Sequence, residues 1–262
     1  MVRGNLTGSR KSMLIQPNQN KNVQYSTNVL DDGDYRFLCE YITDDPSIAY
    51  QRFPMYSFLP KDEPAENHIE KILRTLTPGK EHIEYWFRWN DEAPWHVDGD
   101  EVLFKAINKE TNGSQINYKK DYDHLDHNPE DPNSSRIAKT THILYLIISN
   151  MLGGELEVCT SERWKGKFIL DNKWEPPNGA NIITFQPHQN MAVRFPSYFY
   201  HRVLPIRPKF EKLPFKRLAL IWCTWDHYPK GYEIHKHFKL NESLEIVPAK
   251  GWRDFTAVPS RT

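Results

Sequence analysis

Trp95-His96-Val97-Asp98 places an imidazole and a carboxylate two residues apart. In extended chain, side chains two apart point to the same side, so His96 and Asp98 offer a ring nitrogen and a carboxylate oxygen to one point in space. Such a pair suits a divalent metal, but two ligands do not make a site. Two histidines with one carboxylate would leave positions open on a non-haem iron, so a third ligand has to arrive from elsewhere. His188 and His201 compete for that place. His188 sits in a turn-like Pro-His-Gln-Asn context between two strands, whereas His201 follows the aromatic run Tyr198-Phe199-Tyr200 and opens a strand, which is the better location. The pairs His124/His127 and His235/His237 lie in very polar segments that read as solvated. Taken alone, His-Val-Asp-Gly-Asp-Glu (96–101) also reads as an exposed turn with ordinary surface charges.

The elements around these residues decide between the two readings. DDGDYRFLCEYITDD (31–45) carries Tyr35, Leu38, Cys39 and Ile42 on one helical face. PAENHIEKILRTLT (64–77) predicts a second helix, with Pro64 as an early helical residue and Pro78-Gly79 as its stop. Thereafter EHIEYWFRW, THILYLIIS, ELEVC, NIITFQ, MAVRF, HRVLPI and RLALIWCTW are short runs rich in β-branched and aromatic residues, separated by turn formers. The expectation is a mainly β (α+β) chain: a double-sheet jelly roll with supporting N-terminal helices. Residues 1–28 are polar and read as a flexible arm before a single domain over 29–262, whose core covers about 81–225. The polar stretch 105–139 is an insertion, either a mobile surface loop or a lid over substrate. The tail from Asp226 onward reads as extended chain wrapped on the core.

In order along the chain, the HxD of His96 and Asp98 is followed by Thr141-x-x-x-Tyr145-Leu146, Gly153-Gly154-Glu155-Leu156, Pro176-x-x-Gly179, His201-x-Val203 and Arg217 at the head of an apolar strand. This series, from about Tyr85 to Trp225, resembles the prolyl-4-hydroxylase-like branch of the Fe(II)- and 2-oxoglutarate-dependent oxygenases. The ordered set is far more specific than any one member. The resemblance implies that His96, Asp98 and His201 bind iron, that Arg217 pairs with the distal carboxylate of 2-oxoglutarate, and that Tyr145 bonds the same carboxylate. It implies Fe(II), 2-oxoglutarate and O2 as cofactor and cosubstrates, with decarboxylation to succinate and CO2 coupled to hydroxylation of an sp3 C–H bond in an amino-acid, peptide or protein substrate. Halogenating relatives have a small residue in place of the carboxylate, so an intact Asp98 favours hydroxylation. Glu101 superficially resembles the HxDxxE of the nucleobase demethylases, but RLALIWCTW lacks their Arg-x-x-Asn-x-x-Arg run. Independently of any family, a guanidinium at the head of a buried strand is costly without an anionic partner, and a planar fork matches a carboxylate. Trp86, Arg88 and Trp95 are further pocket candidates, with aromatic core and a snorkelling arginine as the plainer reading.

Bulk properties set the remaining bounds. Lys plus Arg equals Asp plus Glu, 34 against 34, so nothing draws the chain globally to nucleic acid or anionic membrane. No stretch reads as a signal peptide or membrane span. Cys39, Cys159 and Cys223 form no CxxC pair and sit in apolar contexts, as expected of a cytoplasmic protein. A nucleobase-modifying oxygenase and a non-catalytic jelly-roll binding protein are the alternative functions. Substrate identity and oligomeric state are not legible.

Overall fold

The structure, a computed structural model, describes residues 22–43, 57–90, 92–99, 138–161, 175–176, 178–229, 238–240 and 246–248. Glu101, His124, His127, His235, His237 and all but the end of the 105–139 insertion lie outside the described residues.

Two ten-residue strands form the centre, β5 (Thr140–Ser149) and β12 (Lys216–Trp225). Both are dense in β-branched, leucine and aromatic residues and buried along most of their length, as strands covered on two faces must be. They pair antiparallel, β12 also pairs β3 (His82–Trp89), and β5 also pairs β9 (Met191–Pro196). Edge strands β1 (Gln24–Thr27) and β2 (Ser57–Leu59) complete a six-stranded sheet in the order β1-β9-β5-β12-β3-β2. A second, four-stranded antiparallel sheet runs β4 (Ala93–His96), β10 (His201–Val203), β7 (Leu156–Cys159), β8 (Ile182–Phe185). Short pairs of β6 (Met151–Gly153) with β11 (Ile206–Pro208) and of β13 (Phe238–Leu240) with β14 (Ile246–Pro248) account for the remaining described strands.

Alternation along the central strands assigns each face its partner. Ile143, Tyr145, Val193, Phe195 and Ala219 meet Leu156, Val158 and Phe185 in one buried cluster, so the two sheets face each other. The opposite face, with Leu144, Leu146, Leu218, Leu220 and Trp222, is covered by two helices, α1 (Asp32–Thr43) and α2 (His68–Leu76). From α1, Leu38 is fully buried, and the Tyr35 hydroxyl donates to the Leu146 carbonyl at 2.6 Å. From α2, Ile69, Ile72 and Leu73 are buried, each such side chain contributing roughly 2 kcal/mol by leaving water. Among the described residues, no helix is long and apolar enough to cross a membrane.

Several expectations are corrected. Pro64 lies outside α2: Asn67 caps that helix, its side-chain oxygen accepting from the Glu70 amide at 2.9 Å, and this cap sets the start at His68. HRVLPI is not one strand. It breaks at Leu204-Pro205, so β10 pairs with β4 and β7 while β11 pairs with β6. Residues 24–27, within the stretch assigned to an arm, form β1 by pairing with β9 from Gln24↔Arg194 to Thr27↔Met191. Cys159 and Cys223 are buried, but Cys39 is only partly so.

His142, on the helix-facing side of β5, lies nearly flat on Trp222, with ring centroids 4.6 Å apart. Burial, with the Arg194 charge adding to it, pushes its pKa down from 6.5 to about 3. The unfolded chain therefore takes up this proton as pH falls below 6.5, and the folded chain does not until about 3. Stability is full above that window and falls through it by up to about 1.4 kcal/mol per pH unit. Urea unfolding of wild type and His142→Phe at a series of pH values is expected to show a shallower acid loss for the variant; parallel slopes would exclude His142 as a contributor.

Candidate metal centre

The β4–β10 ladder places His96 directly opposite His201, with ring centroids 4.2 Å apart. Asp98, two residues beyond His96, brings its carboxylate to both rings: Oδ1 lies 3.8 Å from His96 Nε2, and Oδ2 lies 3.4 Å from His201 Nε2. One ligand atom from each of the three residues falls within 4.8 Å of the others. Exposure is graded: the side chain of His96 is 37% exposed, that of Asp98 13% and that of His201 4%. One side of the cluster therefore opens outward and the other is walled, with the Phe195 ring edge-on to His201 at 4.8 Å.

Backbone carbonyls fix both imidazole tautomers. His96 Nδ1 lies 2.7 Å from the Pro94 carbonyl oxygen, and His201 Nδ1 lies 3.1 Å from that of Phe199. A carbonyl oxygen only accepts, so each Nδ1 carries a proton, and Nε2 is the nitrogen that each ring turns toward the cluster. Burial, reinforced by the neighbouring His96, lowers the His201 pKa to about 4 against the opposing pull of Asp98 and the Phe199 carbonyl. Its ring is thus neutral near pH 7. Two imidazole Nε2 atoms and one carboxylate, with oriented outer bonds and an open side, form a donor set that fits a divalent transition metal such as Fe(II).

The facing sheet contributes through β5. Thr141 Oγ1 donates to Asp98 Oδ2 at 2.6 Å and lies 2.7 Å from Ser197 Oγ and 3.7 Å from Cys223 Sγ. Four residues further along the same strand face, about 13 Å at strand rise, Tyr145 is fully buried, with the Arg217 guanidinium carbon 5.2 Å from its ring centre. Burial raises the Tyr145 pKa and Arg217 draws it back down. Arg217, 1% exposed, is held by its backbone: its N–H donates to Asn90 Oδ1 at 2.6 Å and its carbonyl accepts from the Asn90 N–H at 2.8 Å. Asn90 makes both bonds because it turns the chain at φ 50°. Gly154, at φ 74°, takes a left-handed conformation where an added Cβ would lie 2.5 Å from Met151 Cε and 3.2 Å from Ile206 Cγ1.

The other candidates are dispersed. His188 is exposed, its carbonyl closing a turn onto the Met191 amide. Trp86 and Arg88 lie on the inward side of β3, opposite Ile221 and Ala219, and Trp86 packs with Ala138, Cys223 and Trp225. Trp95 is on the other face of β4, under the Arg202 guanidinium at 4.7 Å. The sequence motifs assign no role to Thr141, Ser197 or Asn90. Thr141 heads the Thr-x-x-x-Tyr-Leu run and Asn90 follows a long strand, but their partners lie 43 and 127 residues away.

No family model matches the sequence, and no curated protein matches it. Among solved structures, the chain is similar to a prolyl-4-hydroxylase from Pseudomonas putida, at 13% identity over 78% of this chain and 88% of that one, with a TM-score of 0.41. It is also similar to a 2OG-Fe(II) oxygenase family oxidoreductase from Burkholderia pseudomallei, at 12% identity over 80% and 86%, with a TM-score of 0.37. A third is HygX from Streptomyces hygroscopicus, solved with nickel and 2-oxoglutarate, at 8% identity over 80% and 84%, with a TM-score of 0.38.

Replacing Asn90 separates its conformational role from its bonding role. Asn90→Gly keeps the left-handed turn and loses the acceptor, costing about 1 kcal/mol, while Asn90→Ala adds the strain of a β-carbon for about 2 kcal/mol in all. Denaturant midpoints check this; equal losses would contradict the conformational part.

Proposed function

We propose that this chain is an Fe(II)- and 2-oxoglutarate-dependent dioxygenase on a double-stranded β-helix, or jelly roll. The observation that carries the reading is the convergence of His96 Nε2, His201 Nε2 and the Asp98 carboxylate, with both Nδ1 protons committed to backbone carbonyls. Two facing antiparallel sheets with a site between them support the fold assignment. When bound, iron with 2-oxoglutarate and O2 would supply oxidative decarboxylation to succinate and CO2, coupled to hydroxylation of an sp3 C–H bond.

The chain's own work is binding and orientation. The two imidazoles and Asp98 would hold the metal on one face and leave the other face for cosubstrate and O2. Tyr145 stands on the same face of β5 as Thr141, and Arg217 meets it from the head of the neighbouring β12. The guanidinium fork would take the distal carboxylate bidentately and the Tyr145 hydroxyl would donate to it. Phe195 and the buried cluster behind His201 exclude water from the inner side. The substrate we read as an amino-acid or peptidyl side chain of prolyl type, following the order of motifs.

The test is iron-dependent succinate release with a panel of amino acids and peptides. His96→Ala is expected to abolish it, and full turnover by that variant would sink the assignment. Arg217→Met is expected to raise the KM for 2-oxoglutarate roughly 10- to 100-fold, the worth of a charge-assisted pair. An unchanged KM would remove Arg217 from the cosubstrate site.

A further inference from the structure

We infer that Thr141, backed by Ser197, sets the orientation of the Asp98 carboxylate and so tunes how tightly, and with what coordination, the site holds a metal. This rests on the metal reading of His96, Asp98 and His201. Thr141 and Ser197 are both 0% exposed. A buried hydroxyl on an apolar strand must be bonded to be tolerated. The Thr141 hydroxyl spends its one proton on the Asp98 carboxylate rather than on a backbone group, at 2.6 Å, a length typical of a charge-assisted bond. With that proton committed, the 2.7 Å contact to Ser197 Oγ has one consistent direction: Ser197 donates and Thr141 accepts. The serine thus locks the threonine rotamer and strengthens its donation.

The Asp98 carboxylate stands with Oδ1 3.8 Å from His96 Nε2 and Oδ2 3.4 Å from His201 Nε2, and the Thr141 hydroxyl on Oδ2 holds it in that position. Thr141 touches none of the reacting atoms and acts through Asp98, so it is a positioning residue.

Co(II) titration of the metal-free full chain, followed by the ligand-field absorption of the bound ion, reads both affinity and coordination without turnover. Thr141→Val is expected to bind Co(II) roughly 10- to 100-fold more weakly, with an altered band shape, while its unfolding midpoint without metal stays near wild type. Thr141→Ser is expected to restore affinity and band. Ser197→Ala, which leaves the Thr141–Asp98 bond without its backing donor, is expected to weaken binding several-fold, and it decides the matter if Thr141→Val does not fold. Wild-type affinity and an unchanged band in folded Thr141→Val, or in Ser197→Ala if the valine variant is unfolded, would overturn the inference and leave the metal site standing. A wild-type chain that binds no Co(II) would overturn both together.

Discussion

The site depends on the register of one short antiparallel pair, β4 against β10. His96 and His201 are direct partners across that ladder, so their rings share one face and approach to 4.2 Å. A slip of one residue would send one ring to the opposite face, since side chains alternate with period two. A strand of three residues such as β10 does not hold a register alone. It is held because it lies between two partners, β4 and β7, with His201 also opposite Val158. The break at Leu204-Pro205 frees the following chain to pair elsewhere, which confines β10 to the length that serves the site.

Electrostatics and sheet packing act on this frame together. His201 sits where its charged form is disfavoured, which keeps its Nε2 unprotonated, while Asp98 is partly exposed and bonded to a hydroxyl. That hydroxyl comes from the opposite sheet, so the carboxylate joins the two sheets as well as completing the donor set. Along the same face of β5 stands Tyr145, its ring centre 5.2 Å from the guanidinium carbon of Arg217 on the neighbouring β12. β5 thus runs from the hydroxyl that holds Asp98 to the ring beside a buried cation.

Much of this was legible in the residues, and the rest was hidden for identifiable reasons. The long strands β3, β5 and β12 announce themselves by dense β-branched and aromatic runs, and the α1 stripe of Tyr35, Leu38 and Cys39 packs as its spacing predicts. His201 was separable from His188 because the one opens a strand and the other sits in a turn. β1 was missed because Gln24–Thr27 has no apolar alternation and exists only by pairing with β9. HRVLPI read as continuous because its apolar content hides a change of partner. Asn28, Asn90, Asn150 and Asn190 all adopt positive φ at strand ends, a signal present in the sequence as asparagine beside apolar runs. The Thr141–Asp98–Ser197 arrangement left no local pattern, because proximity across facing sheets has no period along the chain.

The central claim is that this cluster binds Fe(II) and then chelates 2-oxoglutarate on it. Anaerobic titration of the metal-free chain with Fe(II) and 2-oxoglutarate, followed by visible absorption, tests that step directly. The account predicts a metal-to-ligand charge-transfer band that appears only when both are present and is absent in His201→Ala. A wild-type chain that shows no such band with both components at saturation would contradict it.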